Sequence, residues 1–282
     1  MNGEIVAALV HDEVRFRVER LAEHGVVPGL GTLLVGDDGP SANYVAMKHR
    51  DATSLGIHSR EVHLPAGVGS DEVAVAIDVL NNDAAIHAYI VQYPFPAGLD
   101  YEGLILGMDP DKDADGLHPV NLGRLVMGVD APLACTPAGI LRLLEHYEVP
   151  VAGRHVVIVG RGLTIGRPLA NLLALKRPEA NAAVTVVHTG VADIGAFTRT
   201  ADIVVAAAGS PGLITADMVR PGAAVVAAGV SFSGSKIVSD VADDVAEVAG
   251  FLSPRIGGVG PMTRALLMAN AVAAAERHAG LT

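Results

Sequence analysis

The sequence predicts a two-domain α/β protein in which parallel strands alternate with helices. Short apolar runs alternate with helical patterns in the first third of the chain, and the same alternation restarts near His155. Half of the 282 residues are hydrophobic, yet only 4% are aromatic and there is no Trp, so the cores must be built from Ala, Val, Leu and Ile. This composition suits parallel strands that are buried on both faces.

The first third of the chain has the order expected of a parallel sheet. Apolar residues recur at helical spacing from Ile5 to Leu21, and Gly25 ends this helix. Strands are then predicted over 31–36, 57–64 and 86–91, and helices over 40–55 and 71–80. Parallel strands joined by right-handed helical crossovers follow from this order.

The second half repeats the pattern. A helix is predicted over 138–147, where it is expected to bridge the two domains, and a strand over 156–159 leads through a glycine-rich turn into a helix over 167–176. Further strands are predicted over 184–187, 203–207 and 224–228, and a final helix over 262–278. We expect one domain over 1–125, joined by the final helix (261–282), and a second domain over 126–260.

Charge and cysteine content exclude several classes of protein. The formal net charge is −11, which argues against nucleic acid, because a phosphate backbone needs a Lys/Arg surface. Cys135 is the only cysteine, so an intrachain disulfide is impossible and a reducing compartment is expected. No apolar run approaches the ~20 residues that span a bilayer, and the start lacks a secretory signal pattern. A cytoplasmic protein without membrane association is therefore predicted.

The turn from Gly160 to Gly166 (GRGLTIG) is typical of a phosphate-binding loop. Glycines allow the backbone to approach a pyrophosphate, and the following helix directs its N–H groups at it. The spacing is one residue longer than G-x-G-x-x-G, so a purely structural glycine turn remains an alternative.

The next strand indicates which dinucleotide would bind. In NAD-binding folds an acidic residue at its end usually holds the ribose 2′-hydroxyl, but here His188 and Thr189 follow Val187. Arg161 could neutralise a 2′-phosphate and Thr189 could donate a hydrogen bond to it, which favours NADP. The alternative is a solvated arginine and a threonine in a turn.

Tyr44 and Lys48 stand four residues apart in a predicted helix, so their side chains share one face. Apolar neighbours indicate partial burial, and a desolvated lysine has a lowered pKa that suits acid–base catalysis near neutrality. Taken alone, the pair also fits a lysine that extends to solvent from a core helix.

Two further segments place polar groups where α/β sites lie. Gln92 follows a strand and precedes Pro94 and Pro96, which end the strand. Asp115 precedes Gly116 in the turn-rich stretch 109–116, where its carboxylate could bind a cationic or amidine-like ring edge. An Asx turn is the alternative for Asp115. A metal site in this acidic stretch is not expected, because no Glu stands where a calcium loop requires one.

Taken in series, these segments resemble the bifunctional methylenetetrahydrofolate dehydrogenase/methenyltetrahydrofolate cyclohydrolase family. The matching segments occur in the family's order and cover nearly the whole chain; they are 44–48 (YVAMK), 91–96 (VQYPFP), 111–119 (DKDADGLHP), 135–137 (CTP), 160–168 (GRGLTIGRP) and 257–263 (GGVGPMT).

The resemblance implies an N-terminal α/β catalytic domain and a Rossmann-like NADP-binding domain with a parallel sheet, usually in a homodimer. The enzyme would oxidise 5,10-methylenetetrahydrofolate with NADP and hydrolyse the methenyl product to 10-formyltetrahydrofolate, in one-carbon metabolism that includes purine biosynthesis. The tetrahydrofolate derivative would lie in the cleft between the domains, facing the nicotinamide.

By position, the resemblance assigns roles to individual residues. Lys48 would be the central catalytic residue, with Tyr44 orienting the folate ring, Gln92 tuning Lys48 and Asp115 anchoring the pterin edge. The backbone at Gly257 and Gly258 would line the folate site. The positions matching cofactor contacts are Gly160, Arg161, Gly162, Ile165, Gly166, His188, Thr189 and Val230.

Three positions depart from the family pattern. Gly162 replaces a Ser that would donate to phosphate, Ile256 replaces a Pro before the Gly-Gly pair, and Ala227 replaces an Asp on the strand before Val230. Dehydrogenase activity is expected to be retained. Two other classes of function stay open on the sequence: a shikimate-type NADP dehydrogenase, and a degenerate paralogue that binds folate or nucleotide without catalysis.

Overall fold

A computed structural model describes residues 1–233 and 236–281 of the chain. Contacts divide these residues into two compact units. The lysine unit comprises Leu9–Arg124, Asp130–Cys135 and Arg264–Thr282, of which residue 282 is not described. The glycine-turn unit comprises Met1–Ala8, Leu125–Val129 and Thr136–Thr263. The predicted domain boundaries differ from these units in detail and stay a prediction.

The first half of the chain alternates helices and strands. In order they are α1 (Gly3–Glu23), β1 (Gly29–Val35), α2 (Gly39–Ser54), β2 (His58–Leu64), α3 (Ser70–Asn82), β3 (Ala88–Val91), α4 (Tyr101–Ile105) and α5 (Pro119–Met127). The three strands form a parallel sheet in the order β2-β1-β3. Strand β1 is buried along its whole length, as expected for the central strand of a sheet covered on both faces.

The second half contains a larger parallel sheet. Its elements are α6 (Cys135–His146), β4 (His155–Val159), α7 (Gly166–Ala174), β5 (Ala183–Val187), α8 (Gly195–Thr198), β6 (Ile203–Ala206), β7 (Ala224–Ala227), β8 (Val230–Ser233), β9 (Lys236–Ser239), β10 (Phe251–Leu252) and α9 (Val259–His278). Five parallel strands lie in the order β10-β7-β6-β4-β5, and β8 and β9 form an antiparallel hairpin.

The predicted fold class is confirmed: both units contain parallel sheets built from alternating strands and helices. Every predicted strand and helix is present, with ends shifted by up to a few residues. The prediction omitted α4, α5, α8, the β8–β9 hairpin and β10. Most of these have two to five residues, which is too short to show a periodic apolar pattern. Among the described residues, no helix is both long and apolar enough to cross a membrane.

Each sheet has a point where the chain reverses its direction of growth. In the lysine unit the chain moves from β1 outward to β2 and then returns to the other side of β1 as β3. In the glycine-turn unit it moves from β4 to β5 and returns to the other side of β4 as β6. Crevices beside the carboxyl ends of such strands are the usual ligand sites of α/β proteins. Ligand sites are therefore expected beside the ends of β1, β3, β4 and β6.

Candidate functional site

Helix α2 carries Tyr44 and Lys48, and its first turn is well capped. The Asp38 carboxylate accepts hydrogen bonds from the backbone N–H of Ser41 (2.9 Å) and from its hydroxyl (2.6 Å). Pro40 lies in the same turn, where its missing N–H leaves no donor unpaired. The cap fixes where the helix starts; four residues apart, the partly buried Tyr44 and the buried Lys48 then lie on one side of it.

Lys48 is buried rather than extended to solvent. Only 4% of the residue is exposed, and its Nζ donates a hydrogen bond of 3.0 Å to Oε1 of Gln92. The same Nζ lies 4.6 Å from the centre of the Tyr44 ring, in cation–π geometry. The structure thus brings together three of the predicted residues, and it rules out the alternative of a lysine that reaches solvent.

Gln92 occupies the reversal point of the lysine-unit sheet. It follows β3 directly, and its backbone N–H continues the ladder by donating to the Leu33 carbonyl of β1 (2.8 Å). Its side-chain Nε2 donates to the Tyr93 carbonyl (2.7 Å). Because the amide nitrogen is committed to that carbonyl, the amide oxygen faces Lys48. Gln92 is therefore held as a hydrogen-bond acceptor for the lysine.

Burial lowers the pKa of Lys48, and this is the largest influence on it. The negative charge of Asp115 acts in the opposite direction, whereas the guanidinium of Arg264 adds to the lowering. The hydrogen-bond partner Gln92 is neutral, so it does not restore the charge. The neutral amine of Lys48 is consequently accessible at lower pH than for an exposed lysine, which suits proton transfer.

Tyr44 keeps its proton. Burial raises the pKa of its phenol well above the ordinary value, and Asp115 adds to the effect. A neutral phenol can donate and accept hydrogen bonds, and its ring face is already turned toward the lysine. The geometry suits a residue that orients a planar ring, not one that supplies a proton.

The Asp-Gly loop separates the two neighbouring acids into different positions. Asp113 is buried and accepts hydrogen bonds from the backbone of Gly116 (2.9 Å) and His118 (2.8 Å) and from the Asn121 side chain (2.9 Å). Asp113 therefore builds the turn. Asp115 is left partly exposed, and its negative charge partly opposes the lowering of the pKa of Lys48 by burial. The Asx-turn alternative applies to Asp113 and not to Asp115.

Gly116 shows why this loop tolerates no side chain there. Its φ is +70°, and a Cβ would lie 2.3 Å from the Leu133 carbonyl carbon. The close approach allows Cys135 N–H to donate to the Asp115 carbonyl (3.1 Å). Asp115 is thus fixed against the segment that ends at Cys135.

Two residues of this cluster had no site role in the sequence analysis. Cys135 is fully buried, and burial raises the pKa of its thiol, with Asp115 adding to the effect. Asn270 of α9 donates to the carbonyls of Ala114 (2.9 Å) and Leu133 (3.0 Å) and so ties together the two segments that flank the thiol. The Cys-Thr-Pro segment of the resemblance was the signal for Cys135, whereas a single Asn in an apolar helix gives no local signal.

In the glycine-turn unit, the predicted phosphate-binding turn lies at the reversal point of its sheet. Gly160 follows β4 with φ +137°, and a Cβ there would lie 2.0 Å from the Ala207 oxygen, just beyond β6. A Cβ on Gly166, the first residue of α7, would lie 2.2 Å from the Gly160 oxygen. Both glycines are required for this close backbone packing. The turn therefore has the strand–turn–helix form that holds a pyrophosphate.

The other predicted cofactor residues surround this turn with accessible groups. Arg161 is exposed, and no hydrogen bond or ion pair engages its guanidinium among the described residues. Thr189 is exposed after β5, while His188 accepts a hydrogen bond from Gly190 N–H (3.1 Å). Ile165 precedes α7, and Val230 is 46% exposed. An exposed guanidinium beside the turn is consistent with a cofactor that carries a 2′-phosphate. The individual contacts stay predictions.

The departures from the family pattern have different structural settings. A Cβ on Gly162 would meet nothing within 4 Å, so a Ser would fit and its loss removes a donor only. Ala227 is buried, and its N–H donates to the Ser253 hydroxyl (2.8 Å). Ile256 is 65% exposed and contributes no packing comparable to a buried side chain.

Gly257 and Gly258 belong to the glycine-turn unit. The carbonyl of Gly257 accepts a hydrogen bond from Gly3 N–H (2.7 Å), and a Cβ on Gly3 would lie 1.7 Å from the Gly258 oxygen. This packing holds the loop after Ile256 without the rigidity of a proline. Lining of the folate site by the two glycines stays a prediction.

No group of three or more His, Cys, Asp or Glu side chains in the described part of the chain is arranged to hold a metal ion. The described residues offer the buried amine of Lys48, the amide of Gln92, the phenol of Tyr44 and the carboxylate of Asp115, together with a glycine-rich turn of the dinucleotide-binding kind in the other parallel sheet. These features define a two-domain α/β enzyme of the dinucleotide-dependent class.

Comparison with known proteins identifies the family. Residues 1–115 match the catalytic domain of tetrahydrofolate dehydrogenase/cyclohydrolase, and residues 134–279 match the NAD(P)-binding domain of the same family. The chain belongs to the tetrahydrofolate dehydrogenase/cyclohydrolase family, as the resemblance predicted.

Individual relatives agree over the full length. The bifunctional protein FolD of Syntrophotalea carbinolica is 52% identical over 279 residues, covering 99% of this chain and 96% of that protein. The crystal structure of the bifunctional FolD of Campylobacter jejuni superposes with a TM-score of 0.94 at 35% identity, covering 98% of both chains. The FolD of Trypanosoma brucei, solved with NADP cofactor and inhibitor, gives a TM-score of 0.93 at 35% identity over 99% of this chain and 97% of that one.

The shikimate-type alternative is not favoured. Shikimate 5-dehydrogenase of Thermus thermophilus superposes with a TM-score of 0.51 at 17% identity, covering 89% of this chain and 99% of that one. This likeness concerns the fold alone.

The lowered pKa of Lys48 predicts a pH-dependent effect of Lys48→Met on stability. At a pH below its folded pKa, Lys48 is charged in both states, and the wild type carries the full cost of burying that charge. As the pH rises from the folded pKa toward the ordinary lysine value of 10.5, the folded amine is already neutral and this cost disappears. The melting temperature of Lys48→Met relative to wild type should therefore fall as the pH rises.

Thermal unfolding of both proteins from pH 6 to pH 10.5 measures this difference. Lys176→Met, which alters an exposed lysine, is the matched control and should show no such trend. A Lys48→Met difference that is constant with pH would contradict the lowered pKa.

Proposed function

We propose that this chain oxidises 5,10-methylenetetrahydrofolate to 5,10-methenyltetrahydrofolate with NADP+ and then hydrolyses the product to 10-formyltetrahydrofolate. The observation that carries the proposal is the buried Lys48, held at 3.0 Å by the Gln92 oxygen and facing the Tyr44 ring. Membership of the dehydrogenase/cyclohydrolase family supports it, as do relatives that are described as bifunctional.

The oxidation needs positioning more than proton transfer. A hydride leaves the methylene bridge of the folate and adds to the nicotinamide of NADP+, and the folate is left as the methenyl cation. No proton has to move in that step, so holding two bound partners in register supplies most of the catalysis. In our proposal the turn from Gly160 to Gly166 holds the pyrophosphate, and Arg161 faces the 2′-phosphate. Ile165, His188, Thr189 and Val230 complete the cofactor contacts.

The hydrolysis needs a group that can move protons near neutral pH. Water adds to the methenyl carbon and loses a proton, which leaves a hydroxyl on that carbon. The ring then opens as the bond from that carbon to N5 breaks: N5 takes up a proton, and the hydroxyl loses its proton to become the formyl carbonyl, so one proton is released overall. We assign these transfers to Lys48, because burial lowers its pKa and makes both of its states accessible. Gln92 holds the amine in place. The negative charge of Asp115 stabilises the protonated form of Lys48 and so limits the lowering of its pKa.

We assign the orientation of the substrate to Tyr44 and Asp115. Tyr44 presents a neutral phenol and an aromatic face, which suits stacking on the folate ring system. The Asp115 carboxylate, partly exposed beside Lys48, would accept hydrogen bonds from the amidine-like edge of the pterin. The backbone at Gly257 and Gly258 would complete the folate site.

The rival function is a degenerate paralogue that binds folate or nucleotide without turnover. The losses at 162, 227 and 256 motivate it. Against it stands the geometry around Lys48, because a buried lysine is costly and is not expected to persist in a pure binding module. Gly162 also leaves the phosphate turn unobstructed, so the missing Ser removes a donor but does not block the cofactor.

Turnover separates these functions. Purified protein mixed with 5,10-methylenetetrahydrofolate should reduce NADP+, with NAD+ used less efficiently because Arg161 would then face no 2′-phosphate. Absorbance that reports NADPH and methenyltetrahydrofolate measures the reaction. Binding of NADP+ with no reduction of either cofactor would refute the dehydrogenase assignment and leave the paralogue.

Replacing Lys48 should separate the two activities. For Lys48→Met we expect methenyl hydrolysis to fall by about 10²- to 10⁴-fold, the usual contribution of a general acid–base group. The NADP+ dissociation constant should stay within about twofold of wild type, as for changes away from a binding site. Lys176→Met is the control, and hydrolysis by Lys48→Met at the wild-type rate would remove Lys48 from its role.

We further propose that the enzyme is a cytoplasmic homodimer whose product supplies purine biosynthesis. The single cysteine is buried and free, which is consistent with a reducing compartment. Strand β5 is one of the two outer strands of the five-stranded sheet, and its Val186 is 40% exposed. An outer strand with an exposed apolar side chain is a ready template for pairing with a second copy.

Val186→Lys should therefore weaken self-association, because a charged side chain on an outer strand opposes pairing. Sedimentation velocity at micromolar concentrations should show a dimer for wild type and a monomer for the variant. Val79→Lys alters a valine of similar exposure (43%) on α3 and should remain dimeric. A Val186→Lys dimer would show that β5 does not form the interface.

A further inference from the structure

Asp240 is a buried acid that the proposed mechanism does not use. It follows β9 and is 0% exposed. Its Oδ2 accepts hydrogen bonds from the backbone N–H groups of Ala208 (2.6 Å) and Gly209 (2.9 Å). Its Oδ1 is buried and has no hydrogen-bond partner in the described part of the chain. A buried carboxylate with one unpaired oxygen costs stability, so stability alone does not account for it.

The carboxylate joins loops that follow two neighbouring strands of the sheet. Ala208 and Gly209 lie just beyond β6, and Gly229 lies between β7 and β8. The backbone N–H of Asp240 donates to the Gly229 carbonyl (3.1 Å). A Cβ on Gly229 would lie 1.9 Å from Oδ2 of Asp240, so the acid packs directly on the glycine backbone. One side chain thus fixes the loops after β6 and after β7 against each other.

Both loops lead to predicted cofactor residues. The oxygen of Ala207, next to Ala208, is the atom that packs on Gly160 of the phosphate-binding turn. Val230 directly follows Gly229. A shift of the Asp240 carboxylate would therefore move two segments together: the one at Ala207 that packs on the phosphate-binding turn, and the one at Gly229 that leads to Val230.

Asp240 also bears on the departure at position 227. Ala227 ends β7 and has no polar side chain with which to support the loop that follows. The loop is held instead by backbone bonds, including Gly229 N–H to the Ala206 carbonyl (2.6 Å), and by the packing of Gly229 on Asp240. In this chain, the described carboxylate that supports this loop comes from the far end of the β8–β9 hairpin.

We propose that Asp240 is a positioning residue for NADP, holding the loops after β6 and β7 in the geometry that the cofactor needs. The inference rests on the proposed function, in which these loops lie at the cofactor site. It assigns Asp240 no contact with the substrate and no proton transfer. The prediction is a selective loss of cofactor binding when the carboxylate is removed.

Asp240→Asn tests this with little change in size. The amide oxygen can take the place of Oδ2, so the bonds from Ala208 and Gly209 remain but lose the strength that the negative charge gives them, while the NH2 group replaces the unpaired Oδ1. We expect the NADP+ dissociation constant and the KM for NADP+ to rise by about tenfold or more. The kcat at saturating NADP+ should change much less. Calorimetric titration gives the dissociation constant, and steady-state assays give KM and kcat.

The hydrolysis of methenyltetrahydrofolate is an internal control, because it needs no oxidised cofactor. It should stay within about twofold of wild type in Asp240→Asn. Asp244→Asn is the matched variant: it removes an exposed acid from the following segment and should leave both activities unchanged. If Asp240→Asn does not fold, Gly229→Ala perturbs the same contact from the other side and should weaken NADP+ in the same selective way.

Two outcomes would overturn the inference: an unchanged NADP+ dissociation constant in a folded variant, or equal losses of hydrolysis and NADP+ binding, which would show a general structural role. Failure of wild type to bind NADP+ would instead contradict the proposed function, so the two failures are distinguishable.

Discussion

The lysine unit is organised around one costly interaction, the burial of the Lys48 amine against the Gln92 amide. A charged amine removed from water is expensive, and a neutral partner does not repay that cost as a carboxylate would. Burial therefore lowers the pKa of Lys48, and an amine that has lost its proton no longer carries this cost. A lysine in this state is chemically useful, because its neutral form is accessible at lower pH than that of an exposed lysine.

Several features of the unit serve to hold that arrangement. The Asp38 cap fixes the start of α2, and the ladder bond to Leu33 fixes the start of the Gln92 loop. Asp113 takes up the backbone donors of its own turn. The two neighbouring acids therefore differ in setting: the Asp113 carboxylate is occupied by the turn, whereas Asp115 is partly exposed.

The glycine-turn unit depends on positions that have no side chain. A dinucleotide phosphate is bound by backbone N–H groups, which requires the chain to approach closely. Gly160, Gly166 and Gly229 stand where a Cβ would overlap a neighbouring oxygen at about 2 Å. Gly162 is different, because it has open space. Substitution there changes the number of donors, whereas substitution at the other three would displace the loops themselves.

The sequence by itself determined the order of the elements, both parallel sheets and the family. Buried strands and amphipathic helices carry periodic patterns that depend only on neighbouring residues, and the motifs stand in a fixed order along the chain. It also named Tyr44, Lys48 and Gln92 as candidates, which the structure brings together, because helix spacing and strand ends are local features. Helices α4 and α8, the β8–β9 hairpin and β10 were missed, since segments of two to five residues are too short to show a period; the nine-residue α5 was missed as well.

The tertiary structure alone decided which polar residues share a site and which support it. It showed that Lys48 donates to Gln92, that Asp113 and not Asp115 builds the turn, and that Cys135 and Asn270 flank the same cluster. It also showed Asp240 packed on Gly229. These partners are separated by up to about half the chain, and burial, desolvation and hydrogen bonding depend on distance in space, which no local pattern records.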